Sequence, residues 1–339
     1  MKKVIFLFLC FILITGCKKK DINNVIKSFS DDVTNSDSYH LNGKMTIKSD
    51  EEEFKYTFDV KYLKDDYYKV TLVNLSNNHE QVILKNSDAV YVITPSLNKS
   101  FKFQSSWPNN SSQSYLLSSL LKDINNDSTA KLETNNNESV IITKVNYPNN
   151  SELVKQKIYF DKDLKIKKVS VYDQDNNERI TTIFSKVDLK ANSSKDEFKL
   201  DDYIKEPENS DKCTGEKCDL KTSNILDDII YPLYLPNNTY LTGSEKIGDA
   251  ASRVILTFGG DKNFTIIEEA SVVPSSFEVK PVFGSPILLN DTLGVISDNS
   301  IRWTRGNVDY YLTSNDLSSS EMVVVASSMN HSISVLGSK

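Results

Sequence analysis

The stretch from Phe54 to Tyr62 constrains the fold of this chain more than any other. In E-F-K-Y-T-F-D-V-K-Y-L, apolar and polar residues alternate over the whole segment. Successive side chains of a strand point to opposite faces, so this alternation predicts an antiparallel strand with one buried face and one solvated face. Similar segments separated by Asn, Asp and Ser predict eight further strands, at 69–75, 81–84, 89–93, 100–104, 139–145, 155–160, 166–172 and 180–189.

Two amphipathic helices accompany these strands. Residues 21–35 place Val25, Phe29 and Val33 at helical spacing, and residues 114–124 carry a leucine stripe with serines opposite. A sheet with one aromatic face and two apolar helices predicts an α+β fold in which the helices cover that face. The facing residues either form an ordinary core or line a hydrophobic cavity for an acyl chain, and they are Phe54, Tyr56, Phe58, Val60, Tyr62, Leu117, Leu120 and Leu121.

Residues 1–16 have the pattern of a secretory signal peptide. Lys2 and Lys3 precede an apolar run that is shorter than the roughly 20 residues needed to span a bilayer. The following I-T-G-C, which ends at Cys17, resembles a bacterial lipobox, in which the cysteine receives a diacylglyceryl group and becomes the new N-terminus. We therefore expect a lipid anchor at Cys17 on the extracytoplasmic face of the cell membrane. The alternatives are a short transmembrane anchor and an ordinary signal peptide with a chance cysteine.

Two further cysteines lie in the stretch C-T-G-E-K-C, at Cys213 and Cys218. Outside the cytoplasm, two cysteines with a glycine between them favour a small disulfide loop. Free thiols and a metal site are the alternatives. The metal site lacks further ligands nearby, because the three histidines are far away in the sequence.

The composition of residues 205–222 is that of a linker, which predicts a domain at 17–204 and a smaller α+β domain at 223–339. In the second domain we expect a short helix from Asn224 to Ile230 and two hairpins, which turn at G-G-D-K and at Gly306-Asn307. A closing helix is predicted after Ser318, since Ser318 and Glu321 suit a capping box.

The sequence contains no arrangement of residues that indicates catalysis. The G-x-S-x-G, H-E-x-x-H and Walker A patterns do not occur. The string that begins at Asp173 resembles a calcium loop, but Glu178 occupies the position that requires glycine, so it is interpreted as a hairpin turn. The net charge of −6 argues against nucleic acid as a partner. We expect no enzyme activity, cofactor or metal; a wall hydrolase that uses carboxylates alone is the alternative.

Several phrases of the chain resemble the LolA-like lipoprotein-carrier superfamily. They are N-S-D-A-V-Y-V-I-T-P, followed by F-K-F, and F-D-K-D-L-K-I-K-K-V-S-V-Y-D, followed by I-T-T-I-F-S-K-V. Within that superfamily the chain is most similar to YdcC-type sporulation lipoproteins and to the germination lipoprotein GerS of Firmicutes. The resemblance implies a curved antiparallel sheet, an incomplete β-barrel, that helices close around a hydrophobic cavity. The two-domain layout is similar to that of the RseB/MucB regulators, which pair a LolA-like domain with a smaller partner-binding one.

These features together predict a membrane-anchored lipoprotein that acts by binding. It would be a scaffold or sensor in the cell envelope, in sporulation or in germination, and the resemblance to GerS implies a cell-wall amidase as one possible protein partner. The alternative is a carrier of lipid or lipoprotein acyl chains. A carrier would have a large apolar cavity, a wall enzyme would have clustered carboxylates in a cleft, and an adhesin would expose its largest apolar patch on the second domain.

Overall fold

The computed structural model describes residues 21–49, 52–135, 138–204, 226, 228–248 and 252–329. Its first part contains helix α1 (Ile22–Thr34), helix α2 (Leu117–Asn126) and the strands β1 (Ser38–Lys48), β2 (Glu53–Leu63), β3 (Tyr67–Asn74), β4 (Glu80–Lys85), β5 (Val90–Thr94), β6 (Lys99–Phe103), β7 (Lys131–Thr134), β8 (Ser139–Lys144), β9 (Leu153–Phe160), β10 (Ile166–Asp173) and β11 (Glu178–Asp188). Three short 3₁₀ helices lie at Pro95–Leu97, Lys195–Phe198 and Leu200–Tyr203.

The second part contains the strands β12 (Thr239–Ile247), β13 (Arg253–Gly260), β14 (Phe264–Ala270), β15 (Glu278–Pro281), β16 (Ser285–Leu289), β17 (Thr292–Ile296), β18 (Ser300–Arg305) and β19 (Val308–Thr313), followed by helix α3 (Ser319–Ser327). The described chain is therefore mostly β-sheet with few helices. Among the described residues, no helix is both long enough and apolar enough to cross a bilayer.

Eleven strands of the first part and β15 form a twelve-stranded sheet in the order β15-β6-β5-β4-β3-β2-β1-β11-β10-β9-β8-β7. The sheet is open, because the two edge strands, β15 and β7, do not pair with each other. All its neighbouring strands are antiparallel except β15 and β6, which run parallel. Within β1 to β6 and within β7 to β11, consecutive strands are neighbours, as the polar turn residues predicted, whereas β1 pairs with β11.

The alternation in β2 gives the sheet its buried face. Tyr56, Phe58 and Val60 are at most 3% exposed, whereas Lys55, which precedes Tyr56, faces solvent. The apolar stripe of α1, with Val25 and Phe29, belongs to the same core as these residues. The leucines of α2, Leu117, Leu120 and Leu121, belong to it as well, together with Leu116 at the N-cap of that helix. Burial of such side chains, at roughly 25 cal/mol per Å² of apolar surface, is the main stabilisation of this part.

The second sheet has the order β12-β13-β14-β19-β18-β17-β16 and is also open. Its core is separate from the first and includes Phe258, stacked on Phe264 at 4.4 Å, and Trp303, stacked on Tyr310 at 4.9 Å. Helix α3 packs its Met322 on this core. The N-terminal capping box of α3 is present as predicted, since Ser318 accepts from the Glu321 backbone and the Glu321 carboxylate accepts from the Ser318 backbone.

The short helix predicted at the start of the second part is wrong for those of its residues that the structure describes. Leu226 and residues 228–230 are not helical, although a helix was predicted from Asn224 to Ile230. The backbone N–H of Ile230 instead donates a hydrogen bond to both carboxylate oxygens of Glu268, at 3.2 and 3.1 Å. A tertiary hydrogen bond has thus taken the place of a helical one.

Candidate binding cavity between the two sheets

A cavity of about 630 Å³ lies where the two sheets meet, and we call it the junction cavity. One wall comes from the ends of β1 and β11, with Ile47 and Ile180. A second wall comes from two loops, residues 107–115 and 147–152, and a third from β16 and the last turn of α3. A volume of this size lies within the range of pockets that bind small organic ligands, roughly 300–1,000 Å³.

The floor of the junction cavity is apolar and rigidly placed. Met45, Ile83, Trp107, Tyr115 and Leu293 line it and are at most 4% exposed. The Trp107 ring is held edge-on against the ring of Tyr68, with centroids 5.8 Å apart. Burial raises the pKa of the Tyr115 hydroxyl well above its usual range, so this residue stays neutral.

One side of the rim is also apolar, although it is exposed to solvent, whereas the lining elsewhere includes the exposed charged residues Lys48 and Glu152. Leu233, Tyr234 and Val324 line the cavity and have 59%, 43% and 42% of their surface exposed. The three residues are neighbours, because Ser328, one turn after Val324, holds the segment of Leu233 and Tyr234. The Ser328 carbonyl accepts from the Leu233 N–H at 3.3 Å, and the Ser328 hydroxyl accepts from the Tyr234 N–H at 3.1 Å. Apolar residues that remain exposed beside an apolar cavity are typical of surfaces that bind ligands or partners.

Polar groups occur at defined points of the lining. Asn110 donates from its side chain to the Ser285 hydroxyl at 2.9 Å, which joins a loop of the first sheet to β16. The side-chain oxygen of Asn110 is buried and has no hydrogen-bond partner within the described chain. A buried acceptor without a partner is costly, so a ligand or water that donates to it is favoured.

Buried Asp123 of α2 fixes two loops of the cavity wall. Its carboxylate accepts from Ser112 and Gln156 side chains, each at 2.8 Å. Ser112 in turn exchanges two hydrogen bonds with Asn146, each at 2.7 Å, which ties the 107–115 loop to the chain before the 147–152 loop. Burial raises the pKa of Asp123 to about 6, against the opposing effect of its hydrogen bonds.

The two sheets are joined by polar contacts below the cavity. Tyr56 donates to the Asn290 carbonyl at 2.5 Å, and Asn74 donates to the Asp291 carbonyl at 3.2 Å. Asp291 is also paired with Arg305, which is 7% exposed. Together with the parallel pairing of β15 and β6, these contacts fix the position of the third wall relative to the other two.

The eight residues that were predicted as either core or cavity lining lie in or against the core of the first sheet, and none of them lines the junction cavity. Phe58 packs on Phe184 at 5.6 Å, and Leu120 is fully buried. Phe54 and Tyr62 are half-buried. Cys17, Cys213 and Cys218 lie outside the described residues.

Sequence reasoning missed the junction cavity itself. Its walls come from β1, two loops, β16 and α3, which are far apart in the chain, and no periodic pattern connects them. The available signal was the presence of isolated aromatic residues, Trp107 and Tyr147, in loops otherwise rich in Ser, Asn and Pro. A large aromatic side chain in a polar loop must find an apolar partner elsewhere.

The string that begins at Asp173 forms the hairpin turn between β10 and β11, as predicted. Asp173 accepts from the Asn177 backbone at 2.8 Å and from Arg179 at 2.7 Å. Those bonds hold the pKa of Asp173 at about 2, despite its burial. Over the residues that the structure describes, no three His, Cys, Asp or Glu side chains meet in a group that could hold a metal ion.

Comparison with known proteins assigns the chain to a family. The sequence profile described as "Sporulation protein YdcC-like" matches residues 1–198. The protein named sporulation protein YdcC of Bacillus subtilis (strain 168) is 36% identical over 326 residues, which cover 95% of this chain and 94% of the relative.

Two solved structures with lower similarity were also found. The MucA/MucB complex of Pseudomonas aeruginosa matches with 10% identity and a TM-score of 0.31 over 88% of this chain and 97% of that chain. The CwlD amidase of Clostridioides difficile in complex with the GerS lipoprotein matches with 16% identity and a TM-score of 0.30, over 50% of this chain and 95% of that chain. From the profile match and the long, 36% identical alignment, the chain belongs to the sporulation protein YdcC-like family.

Proposed function

We propose that this protein is a lipid-anchored binding protein on the extracytoplasmic face of the cell membrane, and that the junction cavity is its binding site. The observation that carries this proposal is the exposed apolar rim of Leu233, Tyr234 and Val324 above the buried floor of Trp107 and Leu293. Exposed apolar residues that adjoin a pocket are typical of surfaces that a partner covers. The relative from Bacillus subtilis is named for sporulation, and we infer a role in the same process.

The partner that we propose is an envelope protein that inserts an apolar segment into the junction cavity. Three aspects of the rim favour a protein over a small ligand. The rim has three apolar side chains, they are exposed to solvent, and they are neighbours beside the cavity. From the sequence resemblance to GerS, a cell-wall amidase is one candidate class. In this proposal the chain has no catalytic role of its own and works as a scaffold or sensor.

The proposed architecture follows the sequence resemblance. A signal peptide occupies residues 1–16, a LolA-like half-barrel covered by helices occupies 17–204, a linker occupies 205–222, and a small α+β domain occupies 223–339. Cys213 and Cys218 would form a disulfide in the linker. Intact-mass analysis after alkylation without reductant tests it, and two alkylated thiols would reject the bond.

A carrier of acyl chains is the second candidate, favoured by the apolar floor of the same cavity. Met45, Ile83 and Leu293 offer an acyl chain a surface without charge. The site of such a chain would then be the junction cavity rather than the face of β2, whose aromatic residues are packed in the core.

A photo-crosslinking residue at Tyr234 separates the two candidates. Tyr240 is the matched control, because it is also an exposed tyrosine of the second part, 61% exposed, but does not line the cavity. In sporulating cells we expect a protein adduct from position 234 and none from position 240. A lipid adduct at position 234 would place the carrier ahead of the scaffold, and equal adducts from both positions would reject the junction cavity as the site.

A further inference from the structure

A second feature, remote from the junction cavity, is a cluster of lysines on the outer face of β8, β9 and β10. The strand register places Lys144 opposite Lys155, Lys157 opposite Ser170, and Lys168 opposite Tyr159. Residues opposite one another in an antiparallel sheet share a face. We call this surface the lysine face, and it consists of Lys131, Lys144, Lys155, Lys157, Tyr159, Lys168, Tyr172 and Ile183.

The lysine face points to solvent. The residues that alternate with it, such as Gln156, Ile158 and Val169, are fully buried on the opposite face of the sheet. Ile183, at the edge of the lysine face, is 51% exposed, although it is a large apolar residue. Within the described part of the chain, the segment around Phe198 covers a different region of the outer face, where Phe198 packs with Tyr67 and Val82.

The lysines accumulate there at an electrostatic cost. Lys144 and Lys155 are directly opposite each other, and like charges in that position repel. Lys168 has Glu178 at 3.2 Å, whereas Lys155 has the neutral side chain of Asn176 as its partner. Glu133 of β7, which lies opposite Val140, is a second carboxylate on this face. A positive surface on a chain whose net charge is −6 indicates a negatively charged partner.

Two tyrosines lie among the lysines. The ammonium groups of Lys155 and Lys157 are each 5.7 Å from the centre of the Tyr172 ring, and that of Lys168 is 5.3 Å from the Tyr159 ring. Tyrosine and lysine together are typical of surfaces at a membrane boundary, because the ring enters the headgroup region while the ammonium binds phosphate.

We propose that the lysine face lies against the anionic phospholipid surface of the membrane that holds the protein. The proposal rests on the proposed anchor at Cys17, which would hold the chain close to that surface. Helix α1 begins at Ile22, a few residues after that cysteine, and it packs on β9 and the following turn. Phe29 meets Phe160 with ring centroids 5.3 Å apart, and Asp32 pairs with Lys165 at 2.8 Å. Phe160 is fully buried on the inner face of β9, so α1 packs on that face and the lysines lie on the other. The charge and the tyrosines of the lysine face are therefore what favour the proposal.

The test is binding of the mature chain with Cys17→Ser to lipid vesicles, so that no acyl chain contributes. We expect sedimentation with vesicles that contain phosphatidylglycerol, weakening with salt, and none with phosphatidylcholine alone. The triple variant Lys144→Gln, Lys155→Gln and Lys157→Gln should bind about 100-fold more weakly, since each lysine near the surface contributes about fivefold. Thermal unfolding checks that the variants remain folded.

The matched control is the triple variant Lys190→Gln, Lys246→Gln and Lys280→Gln, which removes the same charge from exposed positions elsewhere. It should bind like the parent chain. Three results would overturn the proposal. The two triple variants could lose binding equally, the chain could fail to bind anionic vesicles, or it could bind soluble poly(glycerol phosphate) without binding vesicles. Failure of the Cys17 anchor would show separately, as loss of acylation in cells, and would leave the vesicle result unchanged.

Discussion

The side-chain amide of Gln81 pairs with the backbone of Leu293 as a neighbouring strand would. Leu293 N–H donates to the Gln81 oxygen at 2.5 Å, and the Gln81 nitrogen donates to the Leu293 carbonyl at 3.2 Å. Gln81 belongs to the first sheet and Leu293 to the second, and Leu293 lines the junction cavity. One buried glutamine thus links the two sheets at the floor of the proposed binding site.

Gln81→Leu should destabilise the protein and loosen the junction. The substitution leaves the N–H of Leu293 buried without its partner and leaves the Leu293 carbonyl only the Thr292 hydroxyl at 3.5 Å, which costs roughly 1–3 kcal/mol. Urea unfolding measures the loss, and hydrogen exchange at Leu293 should accelerate. Gln104→Leu is the control, because Gln104 is exposed and bonds only to the Asp88 carbonyl. An equal effect of the two substitutions would contradict the role given to Gln81.

Core and rim residues should respond differently to truncation. Phe58 is 2% exposed and packs on Phe184 and Tyr115, so Phe58→Ala should cost about 3–5 kcal/mol in unfolding free energy. Leu121→Ala, on α2, should cost about 2–5 kcal/mol. Leu233→Ala, at the exposed rim, should change stability by less than about 0.5 kcal/mol yet weaken partner binding. A small cost for Phe58→Ala would indicate an open acyl site on the face of β2.

Glu268 should make stability depend on pH. Burial raises its pKa from 4.5 to about 7, so the native state holds this proton more tightly than the unfolded chain does. The resulting stabilisation is fully present below about pH 4.5 and is lost as the pH rises through about 7. Glu268→Gln keeps an acceptor for the Ile230 N–H, and its amide does not ionise. As the pH rises from 4.5 to 7 and above, the parent loses this stabilisation and the variant does not, so the unfolding free energy of the variant minus that of the parent should rise by ~1–3 kcal/mol.

Chemical denaturation of Glu268→Gln across pH 4–8 measures this difference. Glu269→Gln is the control, since the adjacent carboxylate faces solvent and pairs there with Arg253 at 2.6 Å. The stability of the control relative to the parent should stay flat. A flat difference for Glu268→Gln as well would contradict the burial of a charge at this position.

Cys17→Ser should leave an unprocessed precursor without lipid, because only a thiol accepts the diacylglyceryl group. Labelling with radioactive palmitate checks this. The lysines that follow, at 18–20, are unchanged in the variant and cannot replace the acyl chains, since stable anchoring needs more than one membrane signal. Palmitate entering the variant would reject the proposed anchor.

Patterns within a short stretch of sequence, such as alternation and helix capping, predicted the elements that depend on neighbouring residues. The strand from Glu53 to Leu63, the leucine helix α2, the turn at Gly306-Asn307 and the capping box at Ser318 follow from residues within a few positions of each other. Strand β1 was missed because Gly43 interrupts its pattern. The glycine is required there, since an added Cβ would collide with the Ile183 backbone and the Phe58 ring.

The remaining elements depend on partners far away in the chain. Strand β12 is exposed on both faces and shows no alternation, and the parallel pairing of β15 with β6 joins residues about half the chain apart. The short strands β7, β16 and β17 were missed as well. The junction cavity is formed by the meeting of such elements, so its lining could not be predicted from any single segment.

A tryptophan at position 327 tests the central claim, that the junction cavity is the binding site. Ser327→Trp places an indole in the cavity from the last turn of α3, whereas Ser320→Trp places it on the first turn, outside the cavity. The measurement is spore yield in the native host, with protein level and thermal unfolding matched between the two variants. Ser327→Trp should lower spore yield as far as deletion of the gene does, while Ser320→Trp should leave it normal. Normal spore yield with Ser327→Trp at full protein level would contradict the claim.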